Sequence, residues 1–179
     1  MTPVYYDHIP TPIGDLLAAC EPGNSNVNDV AADAGKALIG LWFAGQKYEA
    51  QPEDHWQRDP NVPLLKRVRS KLDQYFSDDA ETSFDLPMRL HGTTFQQSVW
   101  RALLDIKHGE TITYGQLAER LGKPAAVRAA AAAVGRNPVS VMVPCHRVLG
   151  ANGSLTGYAG GLDRKRFLLE QESVLLPLA

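Results

Sequence analysis

Only two cysteines occur in the 179 residues, and they stand in unrelated surroundings. Such a pair does not make a disulfide framework, so a reducing, cytoplasmic location is expected. No Cys/His cluster has the spacing of a zinc site. Cys20 with His8 would supply two of four ligands, so no metal is expected. Long apolar runs are missing too. No small or apolar stretch, Ala129 to Val134 included, approaches the ~18 to 20 residues that span a bilayer. Met1 leads into Thr-Pro-Val-Tyr-Tyr-Asp with no basic region, so no secretory leader and no membrane partner are expected.

What is present is the composition of an ordinary globular protein, with an uneven charge distribution. The net charge is −2 overall. Residues 1–90 hold 8 Lys/Arg and 14 Asp/Glu, whereas residues 91–179 hold 10 and 6. A basic half suits a polyanion, since phosphate contacts supply affinity that is independent of sequence. Many domains that bind no nucleic acid share this asymmetry.

The first half reads as mixed α/β. Val4 to His8 and Asp15 to Cys20 are expected as strands around the turn Thr11-Pro12-Ile13-Gly14. A Gly/Asn/Asp-rich loop over Glu21 to Lys36 precedes a third strand, Ala37 to Phe43. Leu65, Val68, Leu72 and Phe76 have helical spacing within 62–76, and Phe84 to Leu90 reads as a last strand or a linker. In the second half, Thr93 with Gln96, or Thr94 with Gln97, forms a capping box. It opens a helix carrying Phe95, Val99, Ala102, Leu103 and Ile106, which ends near Gly109. Thr113 with Gln116 opens a helix over Tyr114 to Leu121, with Gly122 as its C-terminal cap. Lys123-Pro124 is expected to start another, with Pro in the first turn, running to about Gly135. The pair is a helix-turn-helix candidate or a plain αα-hairpin, and the pattern does not separate the two.

The chemistry concentrates at Val143-Pro144-Cys145-His146-Arg147-Val148. A thiol attacks as its thiolate, which nearby positive charge and a base promote. Cys20, within Leu16-Leu17-Ala18-Ala19-Cys20, reads instead as a buried small apolar residue. In an extended segment Cys145 and His146 would point to opposite faces, so contact needs a turn, which Pro144 favours, or a bridging water. An imidazole base also needs an orienting group, and Glu172, in the last turn of a helix expected to start at Asp163, is the candidate. A carboxylate there opposes the helix dipole, which hints at a specific partner; an exposed surface Glu is the alternative. Residues 125–134 hold Arg128 as their sole long polar side chain, too few to read bases in a major groove. Small side chains permit close approach to a minor groove, with Arg128 entering the stack; a buried alanine helix with Arg128 ion-paired is the other reading. Five glycines within 150–161 suit a pocket wall that presents backbone to a flat ligand.

Tyr114-Gly115-Gln116-Leu117-Ala118, Gly135-Arg136-Asn137-Pro138, the hexapeptide around Cys145 and Gly157-Tyr158-Ala159-Gly160-Gly161, in this order and spacing, resemble the O6-alkylguanine-DNA alkyltransferases. The resemblance spans about residues 90–173. It implies an α+β protein of two domains: a ribonuclease-H-like supporting domain over 1–90, and a mostly helical domain over 91–179 with a winged-helix-like helix-turn-helix. The implied partner is double-stranded DNA containing O6-alkylguanine, bound through the minor groove with the damaged base flipped into a pocket. Arg128 would fill the vacated stack, with Tyr114, Gly115, Lys123, Ala126, Ala129 and Ala151 as further DNA contacts. Tyr114 would also donate a proton toward guanine N3. Cys145 would take the alkyl group, His146 would deprotonate it through water, Glu172 would orient His146, and Asn137 would brace the turn. The carbonyls of Cys145 and Val148 would accept from the guanine amino group. Gly157, Tyr158, Ala159 and Gly160 would line the pocket, with the Tyr158-Ala159 backbone facing O6. The transfer would occur once per molecule, without a cofactor, and O4-alkylthymine is a second expected substrate. A monomer is expected, unless it assembles cooperatively on DNA. Val127-Arg128-Ala129-Ala130-Ala131 departs from the family's usual Ala-Arg-Ala-Val-Gly. A lesion-binding module without transfer and a cysteine hydrolase with repeated turnover are the competing readings.

Overall fold

The computed structural model describes residues 1–23, 35–77 and 83–175. Of the loop expected over Glu21 to Lys36, residues 24–34 lie outside the described residues. The chain is α+β and divides into two compact units, Met1–Gly45 with Glu49–Leu90, and Gln46–Tyr48 with His91–Ala179.

Among its described residues the first unit is a sheet in the order β3-β2-β1-β4 with one helix. β1 (Val4–Ile9) and β2 (Leu16–Pro22) pair antiparallel, and β2 pairs antiparallel with β3 (Lys36–Phe43). The connecting turn closes with Gly14 N–H donating to Thr11 O at 3.2 Å; Gly14 takes a φ of 116°, which a side chain would strain. β2 is central and covered on both faces, so it reads as the continuous apolar run Leu16 to Cys20 rather than as an alternation. Cys20 is buried within it, at a register shift in the pairing with β3. α1 (Pro63–Phe76) begins on the proline, whose missing N–H costs nothing in a first turn, and buries Leu64, Leu65, Val68, Leu72 and Tyr75. Asp7 is buried and satisfied by Arg58 and Arg69, each at 3.1 Å.

One feature of this unit lies outside the sequence expectation, and one decides between its two alternatives, strand or linker. Trp56–Arg58 forms β4, parallel to β1, although three residues with a single apolar member carry no alternation. Phe84 to Leu90 is not a strand: it touches β3 at one bridge, Leu38 with Met88, flanked by backbone hydrogen bonds at 2.8 Å.

The second unit is helical, with one two-residue strand pair. α2 (Thr94–Leu104) uses the Thr93–Gln96 capping box, and α3 (Tyr114–Arg120) uses Thr113–Gln116. Gly122, at φ 69°, takes the left-handed turn after α3. Lys123-Pro124 does not start the next helix: Ala126 N–H closes a turn onto Lys123 O at 2.8 Å, and α4 runs Val127–Gly135. The turn places Pro124 outside the helix, as a φ-fixed residue in the link. α2, α3 and α4 pack pairwise. Trp100, fully enclosed, donates its indole N–H to Ala133 O at 2.8 Å and ties α2 to α4. α5 (Leu162–Gln171) ends the described chain, with Glu172 as its C-cap. No helix among the described residues is long and apolar enough to cross a membrane.

Candidate active site

Three pieces of the second unit meet at Cys145. β5 (Ile112–Thr113) pairs parallel with β6 (Val148–Leu149), which sets the first turn of α3, and so Tyr114, beside the strand that follows the cysteine. Asn137 spans the opposite side. Its amide donates to Val143 O at 2.8 Å and Val139 O at 3.2 Å, while its Oδ1 accepts from Val139 N–H at 3.0 Å. One buried side chain thus closes the loop between α4 and the cysteine. Within that loop Val141 sits at φ 70°, a costly conformation for a β-branched residue that persists only where its surroundings enforce it. After Pro144 the backbone is not extended. Cys145–Arg147 form one 3-10 turn, closed by Arg147 N–H to Pro144 O at 3.0 Å, so the alternation that would separate Cys145 from His146 does not apply.

Cys145 is buried, and burial pushes its thiol pKa up; the hydrogen bond from Asn137 and the positive charge of Lys165 pull it back. As a candidate nucleophile, Cys145 therefore needs a base to take its proton. His146 is fully enclosed, and its pKa is lowered, chiefly by burial, against the opposing pull of Glu172. Its Nε2 lies 2.7 Å from Glu172 Oε1. The Glu172 carboxyl is held well below the ordinary carboxylate range by His146 and Arg147, which outweigh its burial. Arg147 grips both carboxylate oxygens, Nε at 2.8 Å and a terminal nitrogen at 2.9 Å, and donates from its other terminal nitrogen to Ile106 O at 2.5 Å. A carboxylate so held can only accept, so the imidazole proton resides on Nε2 and Nδ1 carries the free lone pair. Nδ1 is buried, with no hydrogen-bond partner among the described residues.

Arg147, two residues after the cysteine, is thus committed to Glu172. The cation facing the thiol is Lys165, which sequence reasoning missed. Lys165 is fully buried, and its Nζ donates to Val148 O at 2.5 Å, Thr156 O at 3.0 Å and Gly157 O at 3.4 Å. Burial depresses it from 10.5 to about 8, against the pull of Cys145. A readable signal existed: Lys165, Leu168, Leu169 and Glu172 have the spacing of the buried stripe of α5, where a lysine and a glutamate are out of place. Tyr114 OH donates toward the same two carbonyls, Thr156 at 3.2 Å and Gly157 at 3.4 Å. Its pKa is raised by burial and by Cys145.

Lys165→Met is expected to take the side-chain donor from the Val148 carbonyl, while Tyr114 still serves the other two, at a cost of about 1–3 kcal/mol of stability. The depressed pKa adds a pH signature. Between about 8 and 10.5 the unfolded chain holds this proton while the folded state does not, so stability rises with pH across that window. Denaturant midpoints at both ends should show this rise in the wild type relative to Lys165→Met. Parallel curves would rule out the buried lysine as its source.

A cavity of about 610 Å3 adjoins this chemistry, lined by Tyr114, Ala131, Ala132, Gly135, Arg136 and Thr156 to Ala159, with Lys47 and Tyr48 on the rim of the same unit. Gly157, Tyr158 and Ala159 thus line a cavity, whereas Val148 and Gly160 are buried and not among its lining residues. The carbonyls of Cys145 and Val148 each already accept one hydrogen bond, from Val148 N–H and Lys165 respectively, and each keeps a second lone pair. α4 buries Ala130, Ala133 and Val134 and exposes Val127, Arg128 and Ala129. Arg128 is exposed and has no ion pair among the described residues, which disfavours the reading of a buried helix with a paired arginine. Lys123 and Ala151 are also exposed, while Gly115 and Ala126 are half-buried. Lys123 Nζ lies 5.2 Å from the Phe95 ring centroid. Among the described residues no group of three or more His, Cys, Asp or Glu has the arrangement to hold a metal ion.

Residues 94–174 match the family described as 6-O-methylguanine DNA methyltransferase, DNA binding domain. The methylated-DNA–protein-cysteine methyltransferase of Haemophilus influenzae is 38% identical over 174 residues, covering 97% of this chain and 89% of that protein. Its counterpart from Mycobacterium tuberculosis H37Rv is 42% identical over 174 residues, covering 97% and 95%. A crystal structure of M. tuberculosis OGT in complex with DNA superposes with a TM-score of 0.78 at 40% identity, covering 94% of this chain and 92% of that one.

Proposed function

Since the chain belongs to the methylated-DNA–protein-cysteine methyltransferase family, we propose that it repairs DNA by direct reversal, moving the alkyl group of O6-alkylguanine in duplex DNA onto Cys145. The observation that carries this reading is the buried Nδ1 of His146, kept unprotonated by the Glu172–Arg147 pair beside a buried thiol. His146 accepts the Cys145 proton through water, and the thiolate sulfur attacks the alkyl carbon. The carbon–O6 bond breaks, its electron pair enters the purine, and Tyr114 supplies a proton at N3 as guanine leaves. Lys165 offsets the thiolate charge. The product is a thioether, which offers water no carbonyl to attack, so each molecule reacts once.

Arg128 fills the gap left by the everted base from the small-residue face of α4, with Gly115, Lys123, Ala126, Ala129 and Ala151 against the DNA backbone. Asn137 positions the cysteine loop. Val148, Gly157, Tyr158, Ala159 and Gly160 form the base pocket. O4-alkylthymine is a second substrate. The first ninety residues are a supporting ribonuclease-H-like domain. The remainder is a winged-helix-like DNA-binding and transfer domain. The protein acts in the cytoplasm as a monomer unless it assembles cooperatively on DNA.

Incubation with a duplex bearing one O6-methylguanine is expected to raise the intact mass by about 14 Da, one CH2, and to stop after one equivalent. An unmodified Cys145 peptide, or continued turnover, would defeat the proposal.

A further inference from the structure

Three side chains at the cavity rim have no part in the transfer chemistry. Lys47 and Tyr48 belong to the segment Gln46–Tyr48, which groups with the residues from His91 onward. Two hydrogen bonds fix it there: Ser140 Oγ donates to Gln46 Oε1 at 3.1 Å, and Lys47 N–H donates to Ala159 O at 3.0 Å. Tyr48 sits at φ 61°, a left-handed backbone that costs a large side chain about 1–3 kcal/mol. The residue is 46% exposed, so burial does not repay that cost.

The strained tyrosine instead gathers charge. The Arg136 guanidinium lies 4.2 Å from its ring centroid, and Lys47 Nζ lies 5.0 Å from it. Each cation gains on the ring face, but two like charges at one ring repel. Neither is ion-paired among the described residues, and both line the cavity that Tyr114 and Gly157 also line. Unpaired cations around a platform held against backbone strain lack the balancing charge that a surface device for stability would have. An anion supplies it.

We propose that Lys47, Tyr48 and Arg136 form an anion-binding wall of the base pocket. Its ligand is an oxyanion with two possible sources: the phosphate next to the everted nucleotide, or the carboxylate of an acidic O6 substituent. The inference rests on the reading of the pocket given above.

The test compares wild type with a Lys47→Gln/Arg136→Gln variant, both changes being at exposed side chains. Duplexes carry O6-methylguanine or O6-carboxymethylguanine, and affinity and single-turnover transfer are measured at two salt concentrations. A phosphate ligand predicts about fivefold weaker binding of both duplexes, with a salt slope shallower by about 0.9 for each lost contact. A carboxylate ligand predicts normal handling of the methyl duplex and about tenfold slower transfer from the carboxymethyl one. Affinity, salt slope and rate within twofold of wild type on both duplexes would overturn the wall. Wild type that fails to transfer methyl would overturn the pocket reading instead, and the affinity arm would still judge the wall.

Discussion

Cys145→Ala is expected to transfer no alkyl group while binding duplex DNA as the wild type does. The expectation of complete loss follows from the chemistry of the site. In the proposed reaction Asn137, Lys165 and Tyr114 only assist, and none offers a second nucleophile: Lys165 donates to three carbonyls, and the Asn137 amide to two. Removing the attacking atom from such a unit costs at least about 10^4-fold in rate. Structural damage is small, because one sulfur is deleted from a site whose turn is held by Asn137 and by the Arg147 to Pro144 hydrogen bond. Loss of transfer with intact binding also separates a repair protein from a lesion sensor, whose function would survive the change. Transfer is read as the fraction of O6-methylguanine remaining after a single turnover, and binding as fluorescence anisotropy with the same duplex. Repair by Cys145→Ala would place the nucleophile elsewhere. Loss of binding together with repair would mean that the thiol supports the fold rather than the chemistry.

The parts of this site that were legible in the sequence are those specified locally. Thr93–Gln96 and Thr113–Gln116 declare the starts of α2 and α3, because a capping box satisfies orphan N–H groups within four residues. Of the two overlapping boxes before α2, the structure uses the first. The hexapeptide around Cys145 marked the candidate nucleophile, and Glu172, which the structure pairs with His146, stood out by opposing a helix dipole. What could not be read depends on distant pairing. β4 exists because Trp56–Arg58 lies along β1, fifty residues away, and nothing in three residues signals a parallel neighbour. The partner of Arg147 was misjudged for the same reason. Adjacency suggested a charge acting on the thiol, whereas the guanidinium reaches Glu172 and the Ile106 carbonyl. Lys165 was hidden differently: a lysine on α5 looks like surface until its neighbours on the stripe are seen to be Leu168 and Leu169. The grouping of Gln46–Tyr48 with the second unit is likewise set by Ser140 and Ala159, more than ninety residues away.

Glu172→Gln is the second change with a large expected effect, and it acts on stability and rate together. The carboxylate is fully enclosed and accepts from His146 and, through both oxygens, from Arg147. The amide keeps the shape but turns one acceptor into a donor facing donors. Removing one partner of a buried pair leaves the guanidinium uncompensated and costs about 3–5 kcal/mol. For a chain of this size that is a fall in Tm of roughly 6–20 °C. Transfer measured below that Tm is expected to slow by about 10^2- to 10^4-fold, the range of a lost general base, because the imidazole proton is no longer directed to Nε2. Acid provides an independent check of the sign. The pKa values of His146 and Glu172 are both depressed on folding, so both contribute stability above their ordinary values that is lost as pH falls. In the wild type the loss begins below about 6.5 through His146 and steepens below about 4.5 through Glu172. Glu172→Gln removes the second phase, so its Tm should depend less steeply on pH below 4.5 than that of the wild type. Calorimetry from about pH 2.5 to 7, with single-turnover rates at about pH 7.5, reads both effects. A variant with wild-type Tm and a rate within twofold would show that the carboxylate neither holds the histidine nor balances the arginine.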